Sequence, residues 1–171
     1  MKRQFSIIII FLVFALNAQT KNIFDIARSG TIKEMNSAFK KNPDCINQLN
    51  ENKSSTLILA SYRGNIEVAK FLINNIKDIN YVSDMGTALM GATYKNQIDL
   101  VQLMIFKNAN INLQDPNGNT ALMLAVQTKN LSMVQLLLNN KVDKTIKNKE
   151  GKTAFEFAVF AGDENIINTL K

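Results

Sequence analysis

Apolar residues recur in this chain at helical spacing, and they do so in paired short runs. The clearest pair lies in Gly118 to Leu138, GNTALMLAVQTKNLSMVQLLL, where Leu122, Ala125 and Val126 line one helical face and Val134, Leu137 and Leu138 line another. Gly118 and Asn119 break the chain before the first run, and Thr120 is placed to cap it through its hydroxyl. A turn at Lys129 and Asn130 separates the two runs. Helices this short cannot bury their apolar faces alone, so the pattern requires neighbours of the same kind.

Those neighbours are present at a fixed period. Aligning the paired runs gives five units, with Ile26, Ala60, Ala92, Ala125 and Ala158 at equivalent places and spacings of 34, 32, 33 and 33 residues. Four residues further on, Gly30, Gly64, Asn96, Lys129 and Gly162 fall at the turn between the helices. Three glycines and an asparagine there predict a left-handed backbone closing each first helix, a conformation that should cost Lys129 some stability.

The period and its internal signature resemble the ankyrin repeat, whose unit reads roughly D-x-x-G-x-T-P-L-H-x-A, then a Gly turn, then V-x-x-L-L and G-A-D-x-N. The matching stretches are DPNGNTALMLA and VQLLLNNKVDKT in the fourth unit, EGKTAFEFA in the fifth, SSTLILASYRGNIEVAKFLINNIKDIN in the second and TALMGATYKNQIDLVQLMIFKNANIN in the third. The first, NIFDIARSGTIKEMNSAFKKNPDCIN, is degenerate and is expected to form the N-terminal cap. The resemblance implies an all-α fold, an ankyrin-repeat solenoid of helix-turn-helix units joined by β-turn or hairpin loops, elongated and curved with a concave face. It covers 19–171, in units of about 20–50, 51–82, 83–115, 116–148 and 149–171. At the far end Asp163, Glu164, Asn165, Asn168 and Lys171 interrupt Ile166, Ile167 and Leu170, as a polar cap should. The chain stops within the last second helix, from which no further domain and no C-terminal anchor is expected.

Two signature residues of the family are missing. The Pro positions hold Thr56, Ala88, Ala121 and Ala154, and the His positions hold Ile58, Met90, Met123 and Glu156. With no histidine anywhere in the chain, the bonds that residue makes between neighbouring units must be replaced by apolar contact through Ile58, Met90 and Met123. A softer stack is the expected result, offset by about 1.5 to 3 kcal/mol for each large apolar side chain buried.

The first twenty residues differ from the rest. Lys2 and Arg3 precede a nearly uncharged run from Phe5 to Leu16, followed by Asn17, Ala18 and Gln19. A basic start, an apolar centre and a small residue describe a secretory signal peptide over 1–18, cleaved between Ala18 and Gln19. Twelve apolar residues fall short of the roughly 20 that span a bilayer, so no membrane insertion is expected after cleavage, although an uncleaved anchor is an alternative. No Cys follows the run closely, so a lipid anchor lacks its acceptor. The mature chain is thus expected to be exported, periplasmic or secreted.

Charge changes the picture little. Loss of Lys2 and Arg3 takes the formal charge from +6 to +4, spread over lysines interleaved with acids. A nucleic-acid binder clusters Lys and Arg on one face, and that class is set aside. Cys45, in DCIN, cannot form an intrachain disulfide and reads as a small apolar core residue, with an intermolecular bridge as the alternative.

Catalytic chemistry finds few candidates. One Cys without a histidine excludes the usual thiol arrangement, and neither a zinc cluster nor a phosphate loop is present. Asp84, Asp99, Asp115, Asp143 and Glu150 fall at turns or helix starts, where acids cap or stay solvated. Asp115, Asn117 and Gly118 hint at a calcium loop, but the twelve-residue ligand pattern is absent. No catalytic residue, metal site or cofactor is expected, and the chain is not expected to be an enzyme.

What remains is a binding surface. By the resemblance, the position two residues beyond each aligned small residue faces the concave groove, and it holds Arg28, Tyr62, Tyr94, Gln127 and Phe160. The next position adds Arg63 and Lys95. Aromatics beside cations suit a protein-binding stripe, while padding between helices is the competing reading for the rings. The turns between units are expected to project as fingers, with Met85, Asn117 and Lys149 at their tips. The resemblance implies a non-enzymatic protein-protein interaction module acting on a periplasmic or envelope protein. Exported bacterial members suggest an oxidative-defence enzyme such as periplasmic catalase as that partner. The alternative is a self-associating structural scaffold of the envelope. A monomer is expected, with a homo-oligomer as the scaffold's signature.

Overall fold

The computed structural model describes residues 21–171; the signal segment expected at 1–18 and its expected cleavage point lie outside the described residues. Among the described residues ten α-helices follow in order: α1 Ile23–Ser29, α2 Ile32–Lys41, α3 Thr56–Arg63, α4 Ile66–Asn75, α5 Ala88–Tyr94, α6 Ile98–Phe106, α7 Ala121–Gln127, α8 Leu131–Asn139, α9 Ala154–Ala161 and α10 Glu164–Leu170. A short 3₁₀ turn, Pro43–Asn47, follows α2. Among the described residues no strand forms, and the turns between pairs carry only isolated bridges, at Leu49 with Ser55 and Ser83 with Gly86.

Local chemistry starts each odd-numbered helix. Asn22, Ser55, Thr87, Thr120 and Thr153 each accept a hydrogen bond from the backbone N–H three residues ahead, satisfying a donor that the first helical turn leaves open. At Thr153 the box is completed by Glu156, whose carboxylate accepts from the Thr153 N–H in return. The turns that end these helices follow expectation at Gly64, Asn96, Lys129 and Gly162, all left-handed. Gly30 is the correction: its φ of −81° and ψ of 173° are extended. Glycine is needed there for space, since a Cβ would sit 2.6 Å from the Ile26 Cα.

The helices pack as a solenoid. Each odd helix pairs with the even helix after it and lies against the odd helices of adjacent pairs, while even helices form a second row. Leu57, Leu89 and Leu122, with Ala60, Ala92 and Ala125, are buried where odd helices meet, and Leu72, Met104, Met133 and Leu137 fill the space beneath the even ones. Ile58, Met90 and Met123 are fully buried, as their replacement of histidine requires.

Polar links between pairs are supplied by other residues. The Asn47, Asn80 and Asn112 side-chain oxygens accept from the backbone N–H of Lys77, Asn110 and Asp143 at 3.0, 2.7 and 2.8 Å, each in the following pair. Asn65 donates back to the Ile26, Ala27 and Gly30 carbonyls, closing the end of α1. This asparagine ladder does what the missing histidines cannot.

Two expectations about burial need correction. Cys45 is only half-buried, and burial raises its thiol pKa above the ordinary value. The C-terminal pair is a polar cap on α10 alone, where Ile166 and Leu170 face inward; α9 leaves Phe155, Val159 and Phe160 exposed.

Candidate binding surface

The stripe is built by the stacking of odd helices. Tyr62, Tyr94, Gln127 and Phe160 take the same helical position on α3, α5, α7 and α9, so the pair-to-pair spacing sets them in a row. The Tyr62 and Tyr94 ring centroids are 6.5 Å apart with planes inclined at 35°. The Lys95 ammonium lies 5.9 Å from the Tyr94 centroid, near enough for the ring face to attract it. Tyr94 is 54% exposed and Phe160 92%, an amount of apolar surface that core packing does not account for. Gln127 and Arg63 are also exposed, and Arg63 forms no ion pair among the described residues.

Tyr62 plays a different part from its neighbours. Its ring lies over Gly91 so closely that a Cβ there would come within 2.6 Å of the ring. Its hydroxyl donates to the Met85 carbonyl, fastening the turn that leads into α5. Burial, then the nearby Asp115 charge, pushes the phenol pKa up to about 12. Tyr62 is therefore a strut between pairs that offers a ring edge to the stripe, while Tyr94 carries the exposed surface.

Of the remaining predicted residues, Met85 adjoins the stripe through Tyr62, while Arg28, Asn117 and Lys149 have surroundings of their own. Arg28 is tied to Asp25 at 3.0 Å and borders a cleft of about 460 Å³ with Phe24, Leu49 and Glu51 at the first pair. At the tips, Met85 is 43% exposed and its sulfur accepts from the Ser54 hydroxyl at 3.8 Å. Asn117 and Lys149 are joined through their main chains, the Lys149 N–H donating to the Asn117 carbonyl at 2.9 Å, so their side chains are held on one exposed edge. The acids behave as caps and turn formers. Asp115 accepts from the Asn117 and Asn119 N–H groups, and Asp143 is held below the ordinary carboxylate value by the Thr145 hydroxyl and N–H. Among the described residues no group of three metal-ligating side chains comes together, and no helix is long and apolar enough to cross a membrane.

A family model described as ankyrin repeats (3 copies) matches residues 23–115 and again 89–171. The chain belongs to the ankyrin-repeat family. The all-helical solenoid agrees with that assignment, and ankyrin repeats are modules through which proteins bind other proteins. Among curated proteins it is similar to ankyrin repeat and SAM domain-containing protein 6 of Rattus norvegicus, with 33% identity over 101 residues, 58% of this chain. The match spans only 11% of that relative's length.

Sequence reasoning missed the exposed face of α9, where Phe155 and Val159 accompany Phe160. The signal was present in the alignment. Phe155 occupies the place of Leu57, Leu89 and Leu122, and Val159 that of Val126, all of which the next pair buries.

Proposed function

We propose that this chain is an exported, non-enzymatic ankyrin-repeat module that binds another protein of the envelope or periplasm through the row centred on Tyr94 and Lys95. The observation that carries the reading is the exposed Tyr94 ring with the Tyr62 ring and the Lys95 ammonium both near it, and with Gln127 and Phe160 extending the same row. Aromatic and cationic side chains on a preformed helical scaffold lose little conformational freedom on binding, so a large share of their contact energy appears as affinity. Export rests on the pattern of Lys2, Arg3 and the apolar run from Phe5 to Leu16. The effect on the partner would be steric: to hold, stabilise or block it. An oxidative-defence enzyme is the partner suggested by the resemblance alone.

The test is affinity capture with the purified chain from an envelope extract of the source cell, compared with Tyr94→Ala and Lys95→Glu chains of unchanged circular dichroism. Stoichiometric recovery of one protein by the native chain, lost with both variants, is the expected result. Equal recovery by all three chains would remove the stripe from the reading. Recovery of the bait alone, with concentration-dependent sedimentation, would replace it with self-association.

A further inference from the structure

Sulfur chemistry singles out one position in the stack. Of the chain's seven methionines, Met35, Met90, Met104, Met123 and Met133 lie in the core, each 1% exposed or less, whereas Met85 is 43% exposed at the tip of the turn before α5. Among the described residues five thioethers are therefore shielded by packing and one is open to reagents in solvent. Methionine oxidation depends on that access, because the oxidant must reach a lone pair on the sulfur.

The Met85 main chain is held in place, and only its side chain is free to change. Its N–H donates to the Ser83 hydroxyl at 3.1 Å and its carbonyl accepts from the Tyr62 hydroxyl. Ser83 and Gly86 exchange main-chain bonds across the turn at 3.0 and 2.9 Å. The sulfur meets the turn of the preceding pair. There the Ser54 hydroxyl donates to it at 3.8 Å and has no other partner among the described residues, although Ser54 is only 1% exposed. A thioether is a weak acceptor, so this buried O–H is nearly unsatisfied.

We propose that Met85 is an oxidation site, modified by a hydroperoxide, and that the Ser54 hydroxyl receives the sulfoxide oxygen. A sulfur lone pair attacks the terminal peroxide oxygen, forming an S–O bond as the O–O bond breaks. The proton on the transferred oxygen passes to the leaving oxygen. Sulfur loses two electrons and the peroxide is reduced to water or an alcohol. The product offers a strongly polar oxygen where a weak acceptor stood, so Ser54 gains a full hydrogen bond. That bond joins the turn ahead of α3 to the turn ahead of α5. The ties to Tyr62 and Ser83 survive, because the Met85 main chain makes them. The site stands independently of any partner bound at Tyr94.

The test is exposure of the purified chain to dilute hydrogen peroxide, followed by peptide mass mapping and urea unfolding. In the folded chain Met85 is expected to gain one oxygen about tenfold or more faster than Met35, Met90, Met104, Met123 or Met133, a difference that vanishes in concentrated urea. Oxidation should raise the urea midpoint of the native chain relative to the shift it causes in Ser54→Ala. Met85→Leu should show neither the added oxygen at that position nor the midpoint shift. Equal oxidation of the six methionines in the folded chain, or a Met85 that resists peroxide, would overturn the site, and the native chain alone decides this. Equal midpoint shifts in the native and Ser54→Ala chains would overturn the part assigned to Ser54.

Discussion

At the scale of single residues, the turn after each odd helix separates what a side chain can tolerate from what it prefers. Lys129 adopts φ 53°, a left-handed conformation that glycine holds at the equivalent Gly64 and Gly162. Lys129→Gly is expected to raise stability by about 1 kcal/mol, measured by urea unfolding, because the β-carbon penalty in that region disappears. Gly30→Ala should do the reverse, since its Cβ meets the Ile26 backbone. Tyr62 gives a pH signature. Its phenol stays protonated in the folded chain up to about 12, against about 10 when unfolded. The stabilisation is fully present below pH 10 and is lost as pH rises through 12, because the folded state there binds the extra proton. Tyr62→Phe should cost about 1 kcal/mol at neutral pH through the lost bond to Met85, and unfolding curves from pH 9 to 12 should fall less steeply than those of the native chain.

At the scale of helices, the stack contains a recurring defect, buried hydroxyls without partners at the equivalent Ser61 and Thr93, and one repeated asset. The Thr93 hydroxyl is buried on α5 without a hydrogen-bond partner, at the position that Val126 fills on α7. Thr93→Val is expected to stabilise by about 1 kcal/mol, seen as a higher urea midpoint with unchanged slope. Asn112→Ala breaks the ladder between the third and fourth pairs and should cost about 1 kcal/mol in the same measurement. The helices themselves were legible because their signals are local. The Ser55, Thr87, Thr120 and Thr153 caps and the spacing of Ala60, Ala92 and Ala125 depend on a few adjacent residues. The part of Tyr62 was not legible, because its partner is a main-chain carbonyl 23 residues away and main-chain acceptors leave no mark in a residue pattern. Gly30 misled for a related reason: a glycine required for space looks the same in sequence as one required for a left-handed turn.

At the scale of the molecule, the pairs meet mainly their neighbours, so stability is distributed along the chain and protection should follow position. Hydrogen exchange is expected to be slowest in α3, α5 and α7, covered on both sides, and faster in α9 and α10. Uniform protection across all five pairs would show coupling beyond nearest neighbours. The asparagine ladder has a mechanical counterpart. Each rung joins one pair only to the next, so a molecule stretched between two beads should give way one pair at a time. Each release of about 33 residues would lengthen the tether by roughly 100 Å, drawing a sawtooth of evenly spaced peaks. Removing the Asn112 rung should bring the rupture between the third and fourth pairs to a lower force and leave the step length unchanged.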